Sequence, residues 1–217
     1  MNNWAKMLAI FSLLLVVGLN SGCNIIGWMA APYGSDIEEI DKTAEYTGLE
    51  GKHIAVLVAA TDDILFRHQD AMLRTSRAMS GRLADNIESL KVMAPSDVID
   101  FQMNNPYWNM SGYANLIDSL GVDAIVVVDL SEYRTHEPGN MYQWKGIVAA
   151  NVTVAAKNGD VPGQALFSQI IRAEYPEDSK VGVIDSDSNA IQLGMLSIFS
   201  RDAAGLFYDH TVVRKTK

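Results

Sequence analysis

Two long, predominantly apolar runs limit the folds open to this chain more than any other feature. The first spans His53–Ala60 and the second spans Val122–Leu130. Such runs are typical of strands buried on both faces, as in the middle of an α/β sheet. Between them, Met79, Leu83 and Ile87 recur at helical spacing within residues 67–90, which predicts an amphipathic helix. The pattern therefore indicates the α/β class.

The remaining segments complete the element order β-α-β-α-α-β-β-β-α. A short strand and two short helices precede the third strand. A hairpin with one solvent-facing side follows it, and a long helix comes last. The segments are Lys91–Ala94, Pro95–Met103, Tyr113–Leu120, Val122–Leu130 (extending to Arg134), Trp144–Ala156, Ala165–Tyr175 and Ser188–Tyr208. Asn158-Gly159 between the hairpin strands is a strong turn signal. We predict an α/β domain over residues 51–210. It has a mixed sheet of about five strands with helices packed on it, in two or three layers, and it ends in a long helix.

The amino terminus carries the pattern of an export signal. Lys6 is the only charged residue before the apolar segment Met7–Leu19, and the small residues Ser21 and Gly22 precede Cys23. This order predicts a secretory signal peptide over residues 1–22. The apolar segment is shorter than the roughly 20 residues that a membrane-spanning helix needs.

Residues 19–23 resemble the lipobox of bacterial lipoproteins, although Asn20 stands where leucine is usual and Leu19 lies one place further out. The resemblance implies that the Cys23 thiol receives diacylglycerol, that the chain is cut before it, and that the new amino terminus is acylated, as with palmitate. Several acyl chains form a lasting membrane anchor. Because Asn24 is not aspartate, the resemblance implies the outer membrane, facing the periplasm. The alternative is that Cys23 is an ordinary small apolar residue.

The segments outside the domain have their own patterns. Residues 23–50 are predicted to be a lipid-anchored tether, in which Ile37, Ile40 and Ala44 are spaced like one face of a short helix. Residues 211–217 form a basic tail. The four residues 214–217 are the only basic run in a chain of net charge −9, so a nucleic-acid partner is not expected.

The sequence offers little for catalysis, and we expect no catalytic residue, cofactor or metal. The serines lack a nucleophile elbow, and phosphate-binding glycine motifs are missing. The four histidines stand far apart, without the spacing of a metal site. Residues 185–189 imitate the start of a calcium loop, but a helix N-cap explains them better.

Two groups of residues are candidates for binding. Tyr107 and Trp108 lie in a polar loop, where aromatics either anchor a protein partner or fold back as a lid, and Trp144 faces the same choice. The edge of the hairpin could accept a partner strand. The second group, Asp62, Asp129 and Glu132 with His136 nearby, lies near strand ends, where α/β sheets often hold ligands. These carboxylates predict a small-molecule or glycan site, or less readily a hydrolase.

Four parts of the sequence suggest a relationship to a known domain. They are Gly51–Leu57, Met93–Val98, Leu120–Val127 and the hairpin around Asn158-Gly159. From Gly51 to Tyr208 the chain resembles a domain shared by the amino-terminal part of TolB, the periplasmic part of the curli secretion lipoprotein CsgG, and LpoB, the lipoprotein activator of a penicillin-binding protein. Residues 206–210 resemble those of uncharacterised planctomycete lipoproteins. The resemblance implies a stand-alone domain on a lipid tether.

We expect a non-enzymatic, lipid-anchored envelope protein that binds a protein partner as an accessory or assembly factor. The alternative is a periplasmic small-molecule or glycan-binding lipoprotein.

Overall fold

The computed structural model describes residues 37–157, 163–177, 179 and 181–215 of the chain. Its strands are β1 (Ile37–Lys42), β2 (His53–Ala60), β3 (Lys91–Val92), β4 (Ala124–His136), β5 (Trp144–Ala156), β6 (Ala165–Tyr175) and β7 (His210–Lys215). Its helices are α1 (Asp62–Arg67), α2 (Ala71–Asn86), α3 (Pro95–Asn104), α4 (Tyr113–Leu120) and α5 (Ser188–Ala204), and short 3₁₀ helices span Trp108–Met110 and Gly205–Phe207.

Chain contacts divide the described residues into a larger unit, Lys42–His210, and a smaller unit that contains residues 37–41 and 211–215. Within the described residues, the larger unit contains a five-stranded sheet of order β3-β2-β4-β5-β6. Strand β2 runs parallel to β3 and β4, whereas β4, β5 and β6 are antiparallel neighbours. The predicted α/β fold, with its mixed sheet and long closing helix, is confirmed.

Helices α2 and α5 cover one face of this sheet. Val56 and Val126 of the sheet form a single buried cluster with Met79 of α2 and Phe199 of α5. The apolar side chains of α5, which include Ile191, Met195 and Phe199 at helical spacing, are thus directed into the core. Asp187 caps α5, since its carboxylate accepts hydrogen bonds from the backbone N–H groups of Asn189 and Ala190 at 2.8 and 3.0 Å. The N-cap interpretation of residues 185–189 is therefore confirmed.

Helices α3 and α4 cover only part of the opposite face. Leu57 and Ile125 of the sheet pack there with Val98 of α3 and Ile117 of α4. Strand β2 is consequently buried on both faces, as its apolar run predicts. With helices on both sides, the domain has three layers.

The ends of the chain differ from the prediction. The helix expected around Ile37, Ile40 and Ala44 is wrong, because residues 37–42 form β1, which pairs with β7 in a two-stranded sheet. The strand β7 takes up much of the predicted basic tail. The Thr211 hydroxyl donates to the Asp41 carboxylate at 2.8 Å. Because β1 and β7 are far apart in the sequence, no local sequence pattern predicts that they pair.

Residues 42–50 of the predicted tether belong to the larger unit. The backbone N–H of Ala44 donates to the Asp209 carboxylate at 2.8 Å. The N–H of Tyr46 donates to the Leu206 carbonyl at 3.0 Å, and Leu49 is fully buried. The tether boundary therefore moves toward the amino terminus because apolar side chains after residue 42 join the core.

The first helix, predicted over residues 67–90, is shorter, since α2 spans Ala71–Asn86, and a separate helix, α1 (Asp62–Arg67), precedes it. The break falls at His68, whose backbone ends α1. The His68 ring packs against Tyr133 of β4 with ring centroids 5.0 Å apart, a tertiary contact that the helical stripe does not reveal. In the described part of the chain, no helix has both the length and the apolar character needed to cross a membrane.

Candidate functional site

The face of the hairpin that α3 and α4 leave uncovered carries a group of polar side chains. In the strand register Asp129 of β4 lies opposite Asn151 of β5, and Asn151 lies opposite Ile170 of β6. The neighbouring row places Thr153 opposite Ser168. The Ser168 hydroxyl donates to the Asn151 side-chain oxygen at 3.0 Å and lies 3.1 Å from the Thr153 hydroxyl. We call the side chains of Asp129, Asn151, Thr153, Ser168 and Ile170 the open face.

One end of the open face is bounded by six charged residues joined in ion pairs, which we call the charge network. It consists of Glu132, Arg134, Glu137, Lys145, Arg172 and Glu174. The hydrogen bond from Arg134 lowers the pKa of the Glu137 carboxyl, and Glu174 raises the pKa of the Lys145 ammonium group. Ile147 lies between Arg134 and Glu174 in the strand register and is buried. Each charged side chain of the network is therefore paired with an opposite charge at this end of the sheet.

Strand β6 is an edge of the five-stranded sheet and, within the described residues, pairs only with β5. Its residues 165–171 contain no charged side chain and no proline. Ile170 is 73% exposed, and Leu166 is also exposed. Edge strands are usually protected by charges, proline or bulges because their free backbone groups can pair with another chain. Residues 165–171 lack charge and proline, and their pairing with β5 is irregular at one place, between Ala165 and Phe167.

The two aromatics of the polar loop have different environments. Trp108 is only 9% exposed and packs in the buried cluster with Val98 and Leu116. Tyr107 is 73% exposed. The Trp108 N–H donates to the Asn105 carbonyl at 2.9 Å, and the Met110 N–H donates to the Tyr107 carbonyl at 3.0 Å. Trp108 thus anchors the loop to the core, as the lid alternative describes, and presents Tyr107 to solvent.

Trp144 begins β5 and is partly buried. Its ring stacks on His136 with centroids 4.0 Å apart. Its backbone exchanges hydrogen bonds with Val183, at 2.7 Å and 2.9 Å. These contacts give Trp144 a supporting role for the segment before α5, and a role in partner binding stays a prediction.

Of the three carboxylates predicted to bind a ligand, two lie on β4 and the third follows its neighbour β2. Asp62 is in the first turn of α1, and Asp129 is exposed on the open face. Glu132 belongs to the charge network, where it accepts from Arg134 at 2.6 Å and lies 3.4 Å from Arg172. Its charge is already paired with two guanidinium groups, so it is poorly placed to bind a cation. A ligand role for these residues stays a prediction.

A partly buried polar cluster at the ends of β2 and β4 was not anticipated from the sequence. The Tyr133 hydroxyl donates to the Gln192 side chain at 3.1 Å, and Gln192 donates to Ser188 at 3.0 Å. Burial lowers the pKa of the His68 ring and raises the pKa of the Tyr133 hydroxyl. The chain of bonds joins β4 to α5. Within the described residues, no group of three or more histidines, cysteines or carboxylates is arranged to hold a metal ion.

Cys23, the predicted lipidation residue, lies outside the residues that the structure describes. The same holds for the turn residues Asn158 and Gly159. Lipidation of Cys23 therefore stays a prediction from the lipobox.

No protein-family model matches the chain, and a search of curated proteins finds no relative. Similar solved structures include the PelC dodecamer from Paraburkholderia phytofirmans, with 11% identity and a TM-score of 0.49 over 79% of this chain and 98% of that one. Lipoprotein GNA1162 from Neisseria meningitidis aligns with 15% identity and a TM-score of 0.44 over 65% and 90%. The hypothetical protein CT253 from Chlamydia trachomatis aligns with 16% identity and a TM-score of 0.45 over 71% and 96%. Such low similarity assigns neither a function nor a site to this chain, and the resemblance to TolB, CsgG and LpoB stays a prediction.

Proposed function

We propose that this chain is a non-enzymatic, lipid-anchored protein of the bacterial envelope that holds a partner protein by accepting an extended segment of it along β6. The observation that carries the proposal is the half of β6 without charge or proline, residues 165–171, at the edge of the sheet. An added strand would satisfy the free backbone groups of this edge, which is the mode of recognition called β-augmentation. The main-chain hydrogen bonds would supply affinity.

The side chains beside this edge suit a strand from another polypeptide. Ile170 offers an apolar contact at the centre of the open face, and Ser168 and Asn151 offer hydrogen-bonding groups around it. The charge network lies at the far end of β6, where Arg172 and Glu174 are already paired. A partner strand with alternating apolar and polar residues, and without charge next to Ile170, fits this surface.

The lipid anchor on Cys23 gives the proposed interaction its mechanism. Fixing the domain to a membrane raises its effective concentration toward any partner held at the same membrane. A modest affinity at β6 is then sufficient for lasting association. We place the anchor in the outer membrane, facing the periplasm, from the residue that follows Cys23.

The alternative, a small-molecule or glycan-binding lipoprotein that uses Asp62, Asp129 and Glu132, has weaker support. Glu132 is bound by two arginines, which leaves Asp62 and Asp129 as the carboxylates of that set without an ion pair among the described residues. A hydrolase that uses the same carboxylates has the same weakness.

The test is a crosslinking experiment on the full chain in native membranes, with three proteins compared. These are the wild type, Ile170→Lys and the control Leu193→Lys, which places the same charge at an exposed apolar position of α5. A lysine on an exposed edge opposes strand pairing. We expect wild type and Leu193→Lys to crosslink to the same partner through residues of β6, and Ile170→Lys to lose that product. Equal capture by Ile170→Lys, or crosslinks that map away from β6, would overturn the proposal.

A further inference from the structure

A cavity of about 300 Å³ lies between the end of α3, the loop that carries Tyr107, and α4. Its floor includes the buried side chains of Trp108 and Leu116. Its rim carries exposed polar and aromatic side chains, namely those of Asn104, Asn105, Tyr107, Ser111, Asn115 and Ser119. The volume is at the lower end of the range of about 300–1,000 Å³ for ligand pockets, which suits one or two sugar rings.

The residues that line this cavity are all uncharged, although 20% of the chain is charged. A site without a lysine, arginine, histidine or carboxylate offers no counter-charge to an ionic ligand. Desolvating an ion there would be unfavourable because no opposite charge compensates the lost water. The lining therefore selects for a neutral ligand.

The hydrogen-bonding groups of the rim are available to such a ligand. The Asn105 amide donates to the Phe101 carbonyl at 2.8 Å, which fixes one side of the rim. In the described part of the chain, the side chains of Asn104, Asn115, Ser111 and Ser119 make no hydrogen bond. A carboxamide combines two donors with one acceptor oxygen. That combination matches adjacent sugar hydroxyls, each of which donates and accepts.

Tyr107 adds an apolar surface beside these polar groups. Its ring is 73% exposed, and an aromatic face can cover the C–H side of a pyranose while the hydroxyls bond at the edge. The loop is held in place by the burial of Trp108 and by the backbone bonds from Trp108 to Asn105 and from Met110 to Tyr107. A site fixed before binding loses less conformational entropy when the ligand enters.

We infer that this cavity binds a neutral carbohydrate, with Tyr107 stacking on a sugar ring and Asn104 and Asn115 bonding its hydroxyls. None of the residues that line the site belongs to β6, and none is a carboxylate predicted from the sequence to bind a glycan. The inference goes beyond the proposed function, and each can fail without the other. A neutral polypeptide segment in the same cavity is the competing occupant.

The experiment uses the full-length protein in phosphatidylcholine nanodiscs and measures saturation-transfer NMR and titration calorimetry. The probes are cellobiose, maltose and N,N′-diacetylchitobiose, with digalacturonate as the charged comparison. We expect at least one neutral disaccharide to bind at millimolar concentrations and digalacturonate to bind more weakly. Asn115→Asp keeps the size of the side chain but adds a charge, and Tyr107→Ala removes the ring. Each should weaken binding by about tenfold or more.

The matched control is Tyr142→Ala, which removes another exposed tyrosine from a different loop and should leave binding unchanged. Thermal unfolding of every variant shows that each one folds. The inference is overturned when no neutral probe binds, or when digalacturonate binds as tightly as the neutral probes. Binding that survives both Tyr107→Ala and Asn115→Asp also overturns it, because the sugar would then lie elsewhere.

Discussion

Ile170 of β6 lies directly opposite Asn151 of β5 in the sheet, yet 73% of its side chain is exposed. Its neighbours on the same face are polar, so the exposure does not result from a gap in an apolar layer. Helices α3 and α4 stop short of this part of the sheet. An exposed β-branched residue on the uncharged half of an edge strand is the feature on which the proposed partner binding rests.

The first prediction compares two isoleucines on this face. Ile147 is 1% exposed beside the charge network, and its replacement by alanine should lower the free energy of unfolding by about 2–5 kcal/mol. Ile170→Ala should change it by less than about 0.5 kcal/mol, because the side chain already contacts water. Urea unfolding measures both values. Equal losses would show that Ile170 is buried in solution, in conflict with an available edge.

The second prediction concerns stability at high pH. Burial raises the pKa of the Tyr133 hydroxyl above its ordinary value of 10.0, so the folded state keeps a proton that the unfolded state releases. The stabilisation is complete below pH 10 and is lost as pH rises above it. Stability of the wild type should therefore fall more steeply above pH 10 than stability of Tyr133→Phe.

Unfolding by urea at several pH values gives both slopes. At neutral pH, Tyr133→Phe should cost about 1 kcal/mol because it removes the bond to Gln192. Burial also raises the pKa values of Tyr46 and Tyr208, but these residues are present in both proteins. Parallel slopes would mean that Tyr133 is accessible to solvent in the folded state.

The third prediction tests the cap of α5. Asp187→Ala removes the acceptor of two backbone hydrogen bonds and should lower the free energy of unfolding by about 1 kcal/mol. Asp185→Ala is the control, since Asp185 is an exposed carboxylate just before the cap. Chemical denaturation should separate the two variants. Equal effects would assign the loss to net charge and not to capping.

The fourth prediction concerns the anchor. Cys23→Ser replaces the thiol that the lipobox would use, so the protein should no longer take up labelled palmitate and should leave the membrane fraction. Immunoblots of membrane and soluble fractions, with mass spectrometry of the amino terminus, provide the measurement. Ser21→Ala, which keeps a small residue before the cysteine, should remain anchored. Membrane retention of Cys23→Ser without acylation would assign the attachment to another part of the chain.

Local patterns predicted much of the larger unit. Strands β5 and β6 have the bounds that alternation indicates, Trp144–Ala156 and Ala165–Tyr175, and helix α4 spans Tyr113–Leu120 as predicted. These elements carry their signals within themselves, as period-two alternation, an apolar stripe or a glycine at the helix end. The expected solvent-facing side of the hairpin is also found, as the open face.

Features set by contacts between distant residues could not be predicted in this way. The pairing of β1 with β7 and the break before α2 at His68 both depend on partners far away in sequence. The separate environments of Tyr107 and Trp108 depend on the core beneath their loop, which only the fold supplies. The uncharged cavity beside Tyr107 could not be predicted because its residues come from two helices and a loop. The pairing of Glu132 with two arginines becomes visible only once the register of the strands is known.

Hydrogen–deuterium exchange of β6 with and without the captured partner tests the central proposal most directly. If a partner strand adds to the edge, those backbone amides of residues 166–171 that point away from β5 should exchange more slowly in the complex, because their free N–H groups become bonded. Exchange in α2, on the opposite face of the sheet, should not change. Unchanged exchange in β6, with protection at the Tyr107 loop or elsewhere, would contradict partner binding by strand addition.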